Sequence, residues 1–167
     1  RSPWLTPVCI MLLTRRATTF EGRYWSALEA RTYPGCVQQP RVPFALAATG
    51  PKSMAVAARH ASVWVTNGDR THEGPPLAPG DGAAVVERQM RLFAEACEAE
   101  DRDPAAVDKL VLTGPRLDTG LGSVDSFRAV VDAYAAIGVT DLVLPWPRPE
   151  PPYAGDESIL ERIANAR

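Results

Sequence analysis

The sequence has few cysteines, no excess of positive charge and no long apolar run. Its three cysteines, Cys9, Cys36 and Cys97, are odd in number and widely spaced, which argues against a disulfide framework and favours a reducing compartment, so we expect a cytoplasmic protein. No CxxC pair or Cys/His cluster has the spacing of a zinc site. With 18 Lys and Arg against 20 Asp and Glu, no basic excess is available to neutralise the phosphates of a nucleic acid. The longest apolar run, residues 8–13, is far shorter than the roughly 20 residues that cross a bilayer, so we expect no membrane partner.

The composition is that of a globular chain. Of the 167 residues, 46% are hydrophobic and 23% are charged, which excludes intrinsic disorder. One domain is the expectation at this length. The chain begins with Arg1 rather than methionine, which leaves open that it is a piece of a longer protein.

Short apolar runs alternate with amphipathic stretches from residue 43 onward. The predicted strands are residues 43–49, 62–66, 109–113 and 140–144. The predicted helices are residues 51–61, 81–100, 123–137 and 158–166. This order predicts an α/β fold with a parallel sheet covered by helices. Four βα units make either a small open sheet or half of a (β/α)8 barrel, and the periodicity does not choose between the two.

Residues 1–42 do not follow this alternation. We interpret them as an irregular insertion segment that precedes the four βα units of residues 43–167, within a single domain of residues 1–167. Residues 8–14 are typical of the end of a helix, and residues 20–25 open an irregular segment rich in aromatic side chains.

Polar residues follow the first predicted strand, at the edge of the sheet where α/β proteins bind ligands. Thr49, Gly50, Pro51, Lys52 and Ser53 form this turn, and no catalytic residue is assigned. Because Pro51 suits the first position of the helix, the amides of Lys52 and Ser53 are free to bind a phosphate or another anion. The alternative is an ordinary turn, in which Gly50 supplies backbone freedom and Lys52 is solvated.

Four further residues are candidates for binding. Thr66 and Asn67 end the second strand and can hydrogen-bond a cofactor or substrate, although Asn67 also suits a turn. His72 lies in a polar loop, where it is either an acid or base on a lid or simply solvated. Arg116 follows the third strand and either pairs with a phosphate or carboxylate or lies on the surface. No side chains form a catalytic constellation by themselves, which fits an enzyme whose chemistry belongs to a bound cofactor.

Several short motifs resemble the luciferase-like monooxygenase superfamily in their order and spacing. They are Phe20-Glu-Gly-Arg-Tyr-Trp25, residues 41–51, Ala57-Ala-Arg-His-Ala61, Trp64-Val-Thr-Asn-Gly68, Arg102-Asp-Pro104 and residues 138–144. That superfamily includes flavin-dependent relatives of bacterial luciferase and oxidoreductases that use the deazaflavin coenzyme F420. The chain departs from the pattern at Ser62 and Val63, where the family usually has Asp and Gly.

The resemblance implies a TIM-type barrel of which this chain supplies only the last four βα units, a half barrel. It implies a flavin- or F420-dependent oxidoreductase that acts on a small organic substrate. Within that class, the resemblance favours a luciferase-like monooxygenase. FMN or F420 would be bound by residues 49–53 and Thr66, and the substrate by Asn67, His72 and Arg116. The N-terminal half of the barrel or a homo-oligomer would then complete the site.

Exposure of the sheet, composition and two alternatives complete the expectations from the sequence. In a half barrel, inner-face residues such as Phe44, Leu46, Trp64 and Leu112, or their neighbours along the strands, are expected to be exposed. The composition, rich in Ala, Arg, Pro and Asp, is typical of high-GC bacteria, in which F420 enzymes are common. The alternatives are a truncated barrel fragment that is catalytically incomplete, or a small non-enzymatic α/β binding protein.

Overall fold

The computed structural model describes residues 5–150 and 153–166. It divides into two compact units, residues 1–43 and residues 44–167. The boundary lies one residue from the predicted boundary between the insertion segment and the βα units. The single-domain organisation stays a prediction.

The first unit contains a helix and a two-stranded sheet. Helix α1 spans Leu5–Thr14, and strands β1 (Thr18–Glu21) and β2 (Ser26–Ala30) pair in antiparallel fashion. The Gly22 amide donates to the Trp25 carbonyl at 2.9 Å and closes the connection. The prediction of a helix ending at residue 14 is confirmed, whereas the prediction of irregular structure is wrong for residues 18–30. Both strands are largely exposed, so they lack the apolar alternation from which a strand is recognised.

The second unit contains the predicted parallel sheet. Its strands are β3 (Ala45–Ala47), β4 (Val63–Thr66), β5 (Asp108–Leu112) and β6 (Asp141–Val143), adjacent in that order and all parallel. The helices are α2 (Pro51–His60), α3 (Pro79–Glu98), α4 (Val124–Ala136) and α5 (Ser158–Asn165), with a 3-10 turn at Pro104–Ala106. The predicted α/β fold with a parallel sheet in sequential order is therefore confirmed.

Local sequence signals explain where the helices begin and end. Helix α3 begins at Pro79, earlier than predicted, because proline suits the first helical position, and Asp81 falls within the first turn. Helix α4 begins after Ser123, whose hydroxyl accepts a hydrogen bond from the Ser126 amide at 3.0 Å. Gly138 has φ +85° just beyond that helix, the left-handed conformation in which glycine commonly ends helices.

The helices pack on one face of the sheet and form its core. Trp64 is fully buried there, stacks on Phe93 with ring centroids 5.4 Å apart, and donates from Nε1 to the Ala48 carbonyl at 2.8 Å. Trp64 therefore packs in the core. A second buried cluster of the same unit consists of Ala83, Val86, Val111, Leu117, Val130 and Tyr134.

The opposite face of the sheet, which we call the open face, carries mainly small and aliphatic side chains. Val65 on this face is 7% exposed, whereas several of the others remain exposed. The open face includes Ala45, Ala47, Leu112 and Val143, and the last two are 36% and 43% exposed. Register supports this assignment, because Leu112 pairs with Val143 while Leu46 pairs with Trp64 on the helix-covered face. Leu46 and Trp64 thus lie on the helix-covered face, and the expected exposure is found at Leu112 and at Ala45 and Ala47, the neighbours of Leu46. Alternation along a strand separates two faces but does not say which one the helices cover.

Candidate functional site

All four parallel strands end at the same edge of the sheet, which we call the carboxyl edge. The segments that follow the strands there are Thr49–Ser53 after β3, Asn67 and Gly68 after β4, Gly114–Arg116 after β5, and Pro145 after β6. Parallel α/β sheets and barrels bind ligands at this edge. Residues 49–53, Asn67 and Arg116, which the sequence predicted as site residues, thus lie in segments that share the carboxyl edge.

The turn between β3 and α2 leaves its backbone open. Gly50 has φ −122° and ψ 161°, an extended conformation that any residue adopts. A Cβ placed on Gly50 would meet only Ser53 Oγ, at 4.0 Å. The fold therefore does not need glycine at this position, which argues against the interpretation of Gly50 as a source of backbone freedom. What the glycine does provide is room for a ligand to approach the main chain.

Ser53 holds this turn in place. Its hydroxyl donates to the Gly50 carbonyl at 2.9 Å and accepts from the Gly50 amide at 3.2 Å. The amides of Lys52 and Ser53 have no acceptor among residues 5–150 and 153–166. The Lys52 side chain is exposed, and no ion pair engages it within the same residues. Two free amides, the positive end of a helix dipole and one ammonium group match the chemistry of a phosphate-sized anion.

Thr66 faces the helices. It is 1% exposed, and its hydroxyl donates to Gln89 Oε1 at 2.6 Å and accepts from the Gly68 amide at 3.2 Å. Gln89 Nε2 in turn donates to the Gly68 carbonyl at 3.2 Å. The expectation that Thr66 contacts a cofactor is thereby corrected, since its hydroxyl is engaged in the core. Sequence reasoning missed Gln89, which is a buried polar residue on an otherwise apolar helix face.

The turn after β4 presents Asn67 to solvent. Gly68 has φ +85°, and a Cβ there would lie 3.0 Å from Leu117 Cδ2, so this position does require glycine. Asn67 is exposed next to it, at the carboxyl edge. Its role in substrate binding stays a prediction.

His72 lies in a loop tied together by its own hydrogen bonds. Its Nε2 is 2.7 Å from the Pro75 carbonyl oxygen, and its ring is half-buried. In the same loop, the backbone amide and the hydroxyl of Thr71 donate to Asp69 Oδ1 at 2.8 and 2.7 Å and lower the pKa of that carboxyl group. A role for His72 as an acid or base stays a prediction.

Arg116 lies in the loop that follows β5. Its carbonyl accepts from the Leu77 amide at 2.9 Å, which links this loop to the chain ahead of α3. The Arg116 Nε atom is buried and has no hydrogen-bond partner within the described part of the chain. An unpaired guanidinium nitrogen at the carboxyl edge keeps Arg116 a candidate for binding a carboxylate or phosphate.

A cavity of about 150 Å³ opens beside the ends of β5 and β6. Most of its lining residues are proline, glycine, leucine or alanine, and the lining residues with polar side chains are Asp118, Thr119 and Tyr153. Lining residues include Asp118 and Thr119 after β5, Pro145 and Pro147 after β6, and Tyr153. Sequence reasoning missed this site because its walls are far apart in the chain. The cue available in the sequence was the concentration of prolines around residue 147.

Two features are absent from the part of the chain that the structure describes. Among residues 5–150 and 153–166, no group of three or more His, Cys, Asp and Glu side chains is arranged to hold a metal ion. None of the helices in that part of the chain is long and apolar enough to cross a membrane.

Cys97 is buried, and desolvation raises the pKa of its thiol.

Comparison with known proteins identifies the family. Residues 6–119 match the family described as luciferase-like monooxygenase. No curated protein matches the sequence. An F420-dependent secondary alcohol dehydrogenase solved with an F420–acetone adduct is 15% identical, with a TM-score of 0.59 over 83% of this chain and 53% of its own. The coenzyme F420-dependent tetrahydromethanopterin reductase from Methanopyrus kandleri is also 15% identical, with a TM-score of 0.64 over 93% of this chain and 58% of its own.

These similarities differ in what they show. At 15% identity the two structures share a fold with this chain, and the chain spans little more than half of their length. The family match covers more than half of the chain and includes the β3–α2 turn and strands β3, β4 and β5. The chain belongs to the luciferase-like monooxygenase family.

Proposed function

We propose that this chain forms the last four βα units of a luciferase-like barrel, and that the complete barrel is an F420- or FMN-dependent oxidoreductase acting on a small organic substrate. The observation that carries the proposal is the family match over a chain whose first parallel strand, β3, is followed by a turn with free amides at the start of a helix. A monooxygenase reaction is the finer form of the same proposal.

The open face supports the barrel. Parallel sheets are normally buried on both faces, and in a barrel the second face is the packed interior. Here the helices α2, α3 and α4 pack on one face, and the open face leaves Leu112 and Val143 exposed. The outer strands of the sheet, β3 and β6, are its unpaired edges. Four further strands, from an N-terminal half or from a second copy of the chain, would pair with both edges and cover this face.

The β3–α2 turn would hold the anionic end of the cofactor. FMN ends in a phosphate, and F420 carries a phosphate and carboxylates, so both suit the free amides of Lys52 and Ser53 and the nearby ammonium group. Gly50 leaves room for close approach. When bound, such a cofactor supplies hydride transfer or oxygen chemistry, while the protein binds and orients it. Thr49 and Pro51 shape the turn, and Thr66 contributes indirectly by holding Gly68 together with Gln89.

The substrate would lie along the same edge. Asn67 is exposed there, and Arg116 offers a guanidinium nitrogen without a partner in the described chain. His72, whose loop precedes α3, would act as a proton donor or acceptor. These three assignments rest on position and chemical type.

One alternative has an observation in its favour. Because the chain spans only 53% and 58% of the two structures, the chain alone would be a catalytically incomplete fragment. In that case it binds cofactor weakly and turns over nothing until the missing strands are supplied.

Fluorescence titration with F420 and with FMN tests the anion site. We expect weak binding by the chain alone and stronger binding once the rest of the barrel is supplied. Gly50→Val should lower affinity at every salt concentration because its side chain occupies the approach to the amides. Lys52→Ala should lower affinity mainly at low salt, because screening weakens the contribution of an exposed charge.

Gly122→Val is the matched control. A Cβ at Gly122 also meets nothing within 4 Å, and Gly122 precedes α4 much as Gly50 precedes α2. The control variant should bind either cofactor like the parent chain. If the Gly50 and Lys52 variants do so as well, the β3–α2 turn is only a connector.

A further inference from the structure

The cavity at the ends of β5 and β6 contains a single charged side chain. Asp118 lines it together with Thr119 and Tyr153, and the other lining residues described are proline, leucine, alanine or glycine. Asp118 is half-buried, and no ion pair engages it among residues 5–150 and 153–166. A carboxylate in an otherwise apolar hollow, without a counter-ion in the described structure, leaves a negative charge to be matched by a ligand.

The backbone holds Asp118 in position. Its Oδ1 accepts from the Gly120 amide at 2.9 Å, and its own amide donates to the Leu77 carbonyl at 3.0 Å. Gly120 has φ +68°, and a Cβ there would lie 2.8 Å from Phe127 Cα, so the turn packs closely on α4. These contacts leave Oδ2 available without fixing it to another protein group. The carboxylate is therefore preorganised at the cavity wall.

The chain after β6, from Pro145 to Gly155, folds back on itself and forms the opposite wall. The Arg148 amide donates to the Tyr153 carbonyl at 2.8 Å, and the Gly155 amide donates to the Arg148 carbonyl at 2.9 Å. This ladder places the Tyr153 side chain against the cavity, where a Cβ on Gly114 would lie 3.4 Å from the ring. A tyrosine ring and a carboxylate in one small hollow both attract cations.

We propose that this cavity binds a small organic ammonium ion, with its apolar group in the proline-lined hollow and its charged nitrogen at Asp118. The volume of about 150 Å³ matches a molecule about the size of benzene. A carboxylate ligand is disfavoured because it would face Asp118 at close range. A neutral alcohol can donate one hydrogen bond to Oδ2 but gains no charge pairing. The proposal concerns binding alone and goes beyond the proposed oxidoreductase function.

Three probes of similar shape test the charge preference. Benzylamine, benzyl alcohol and benzoate are titrated separately into the full chain, with no cofactor present, and the amide signals of Gly114, Gly120 and Gly155 are followed by NMR. Benzylamine should bind about tenfold more tightly than benzyl alcohol, and benzoate should bind least. Because no flavin or F420 is added, the outcome is independent of the cofactor titrations.

Variants locate the interaction. Asp118→Asn keeps an acceptor for the Gly120 amide but removes the charge, so benzylamine should weaken to the level of benzyl alcohol. Asp125→Asn removes an exposed carboxylate of α4 that is not part of the cavity wall, and should leave binding unchanged. Ala154→Trp fills the hollow from an exposed position and should abolish binding of all three probes.

Several results overturn the proposal. Benzoate binding as tightly as benzylamine shows that the cavity does not select a cation. Equal affinity of the parent and Asp118→Asn chains shows that the carboxylate is not the recognising group. If no probe shifts the three amides at concentrations up to the solubility limit, the hollow is not a ligand site.

Discussion

A glycine and a tyrosine on neighbouring helices make the sharpest test of the packing. Gly82 of α3 lies where a Cβ would be 2.6 Å from the Tyr134 hydroxyl oxygen of α4. Tyr134 is 1% exposed, and its hydroxyl has no hydrogen-bond partner in the described structure. The two positions are therefore coupled through a single oxygen atom. We predict that Gly82→Ala and Tyr134→Phe are strongly non-additive.

The magnitudes follow from that geometry. An unpartnered buried hydroxyl costs about 1–3 kcal/mol, and Tyr134→Phe removes that cost but also the packing contacts of the oxygen atom. The substitution should therefore raise the free energy of unfolding by about 1 kcal/mol. Gly82→Ala gains about 1 kcal/mol of helix propensity but suffers overpacking of about 1–3 kcal/mol, for a net loss of about 1 kcal/mol. With phenylalanine at 134 the oxygen is gone, and the next contacts of the Cβ are Leu117 Cδ2 at 3.2 Å and the ring carbon at 3.7 Å. Alanine should then stabilise the helix, giving a coupling of about 2 kcal/mol.

Urea unfolding followed by circular dichroism measures all four chains of this cycle. Gly122→Ala serves as the control, because a Cβ there meets nothing within 4 Å and should combine additively with Tyr134→Phe. A Gly82–Tyr134 coupling below about 0.5 kcal/mol, the usual limit for independent sites, would refute the reasoning. It would mean that α3 and α4 shift freely enough to absorb the extra methyl group.

The remaining predictions concern pH, a helix cap, the buried polar network and the open face. Burial, with a smaller effect of Asp118, raises the pKa of Tyr134 from 10.0 to about 12, so the neutral form is favoured in the folded state. The contribution of this tyrosine to the free energy of unfolding should be intact below pH 10 and fall between pH 10 and 12 by up to about 1.4 kcal/mol per pH unit. Denaturant titrations at several pH values should show a shallower fall for Tyr134→Phe. Equal slopes for the two chains would contradict the raised pKa of Tyr134. Ser123→Ala should lower the free energy of unfolding by about 1 kcal/mol and Ser123→Gly by only a few tenths, whereas equal losses would show that the cap contributes little. Thr66→Val should cost about 1–3 kcal/mol in urea unfolding because Gln89 loses its donor, while Thr66→Ser, which keeps the hydroxyl, should cost less; the reverse order would contradict this account. Finally, the chain alone should self-associate or melt at low temperature because of its open face, and a monomer in sizing chromatography with a sharp, cooperative melt would argue against a half barrel.

The elements with strong local signals could be predicted from the sequence. Ser123 and Gly138 delimit α4 through capping chemistry that acts over three or four residues, and the structure shows both caps. The hairpin of residues 18–30 gave no such signal, because Trp25 and Leu28 on it are 65% and 84% exposed and no apolar alternation exists. Apolar residues recur at the period of a helix or strand because one face of the element is buried. An element with little burial therefore shows no periodic pattern in the sequence.

The candidate site likewise contains residues that local sequence signals identify and others that depend on tertiary packing. The Thr49–Ser53 turn could be found because glycine and proline mark it locally. The orientation of Thr66 could not, since the period of two allows either face and the choice depends on where α3 packs. Asp118 and Tyr153 are far apart in sequence, and local signals do not show that the loop after β5 and the chain at residues 145–155 line one cavity.

The unequal faces of the sheet help to choose between the two architectures that periodicity left open. An open, doubly wound sheet would place helices on both faces, because each parallel strand buries side chains in both directions. In this chain the helix-covered face contains Trp64 and Val111, fully buried, while the open face ends in Leu112 and Val143, both exposed. Helices on one side with small and aliphatic residues on the other is the arrangement of a barrel segment, whose inner side chains pack in layers against those of opposite strands. This asymmetry is our physical reason, separate from the family match, for proposing a half barrel rather than a small open-sheet binding protein.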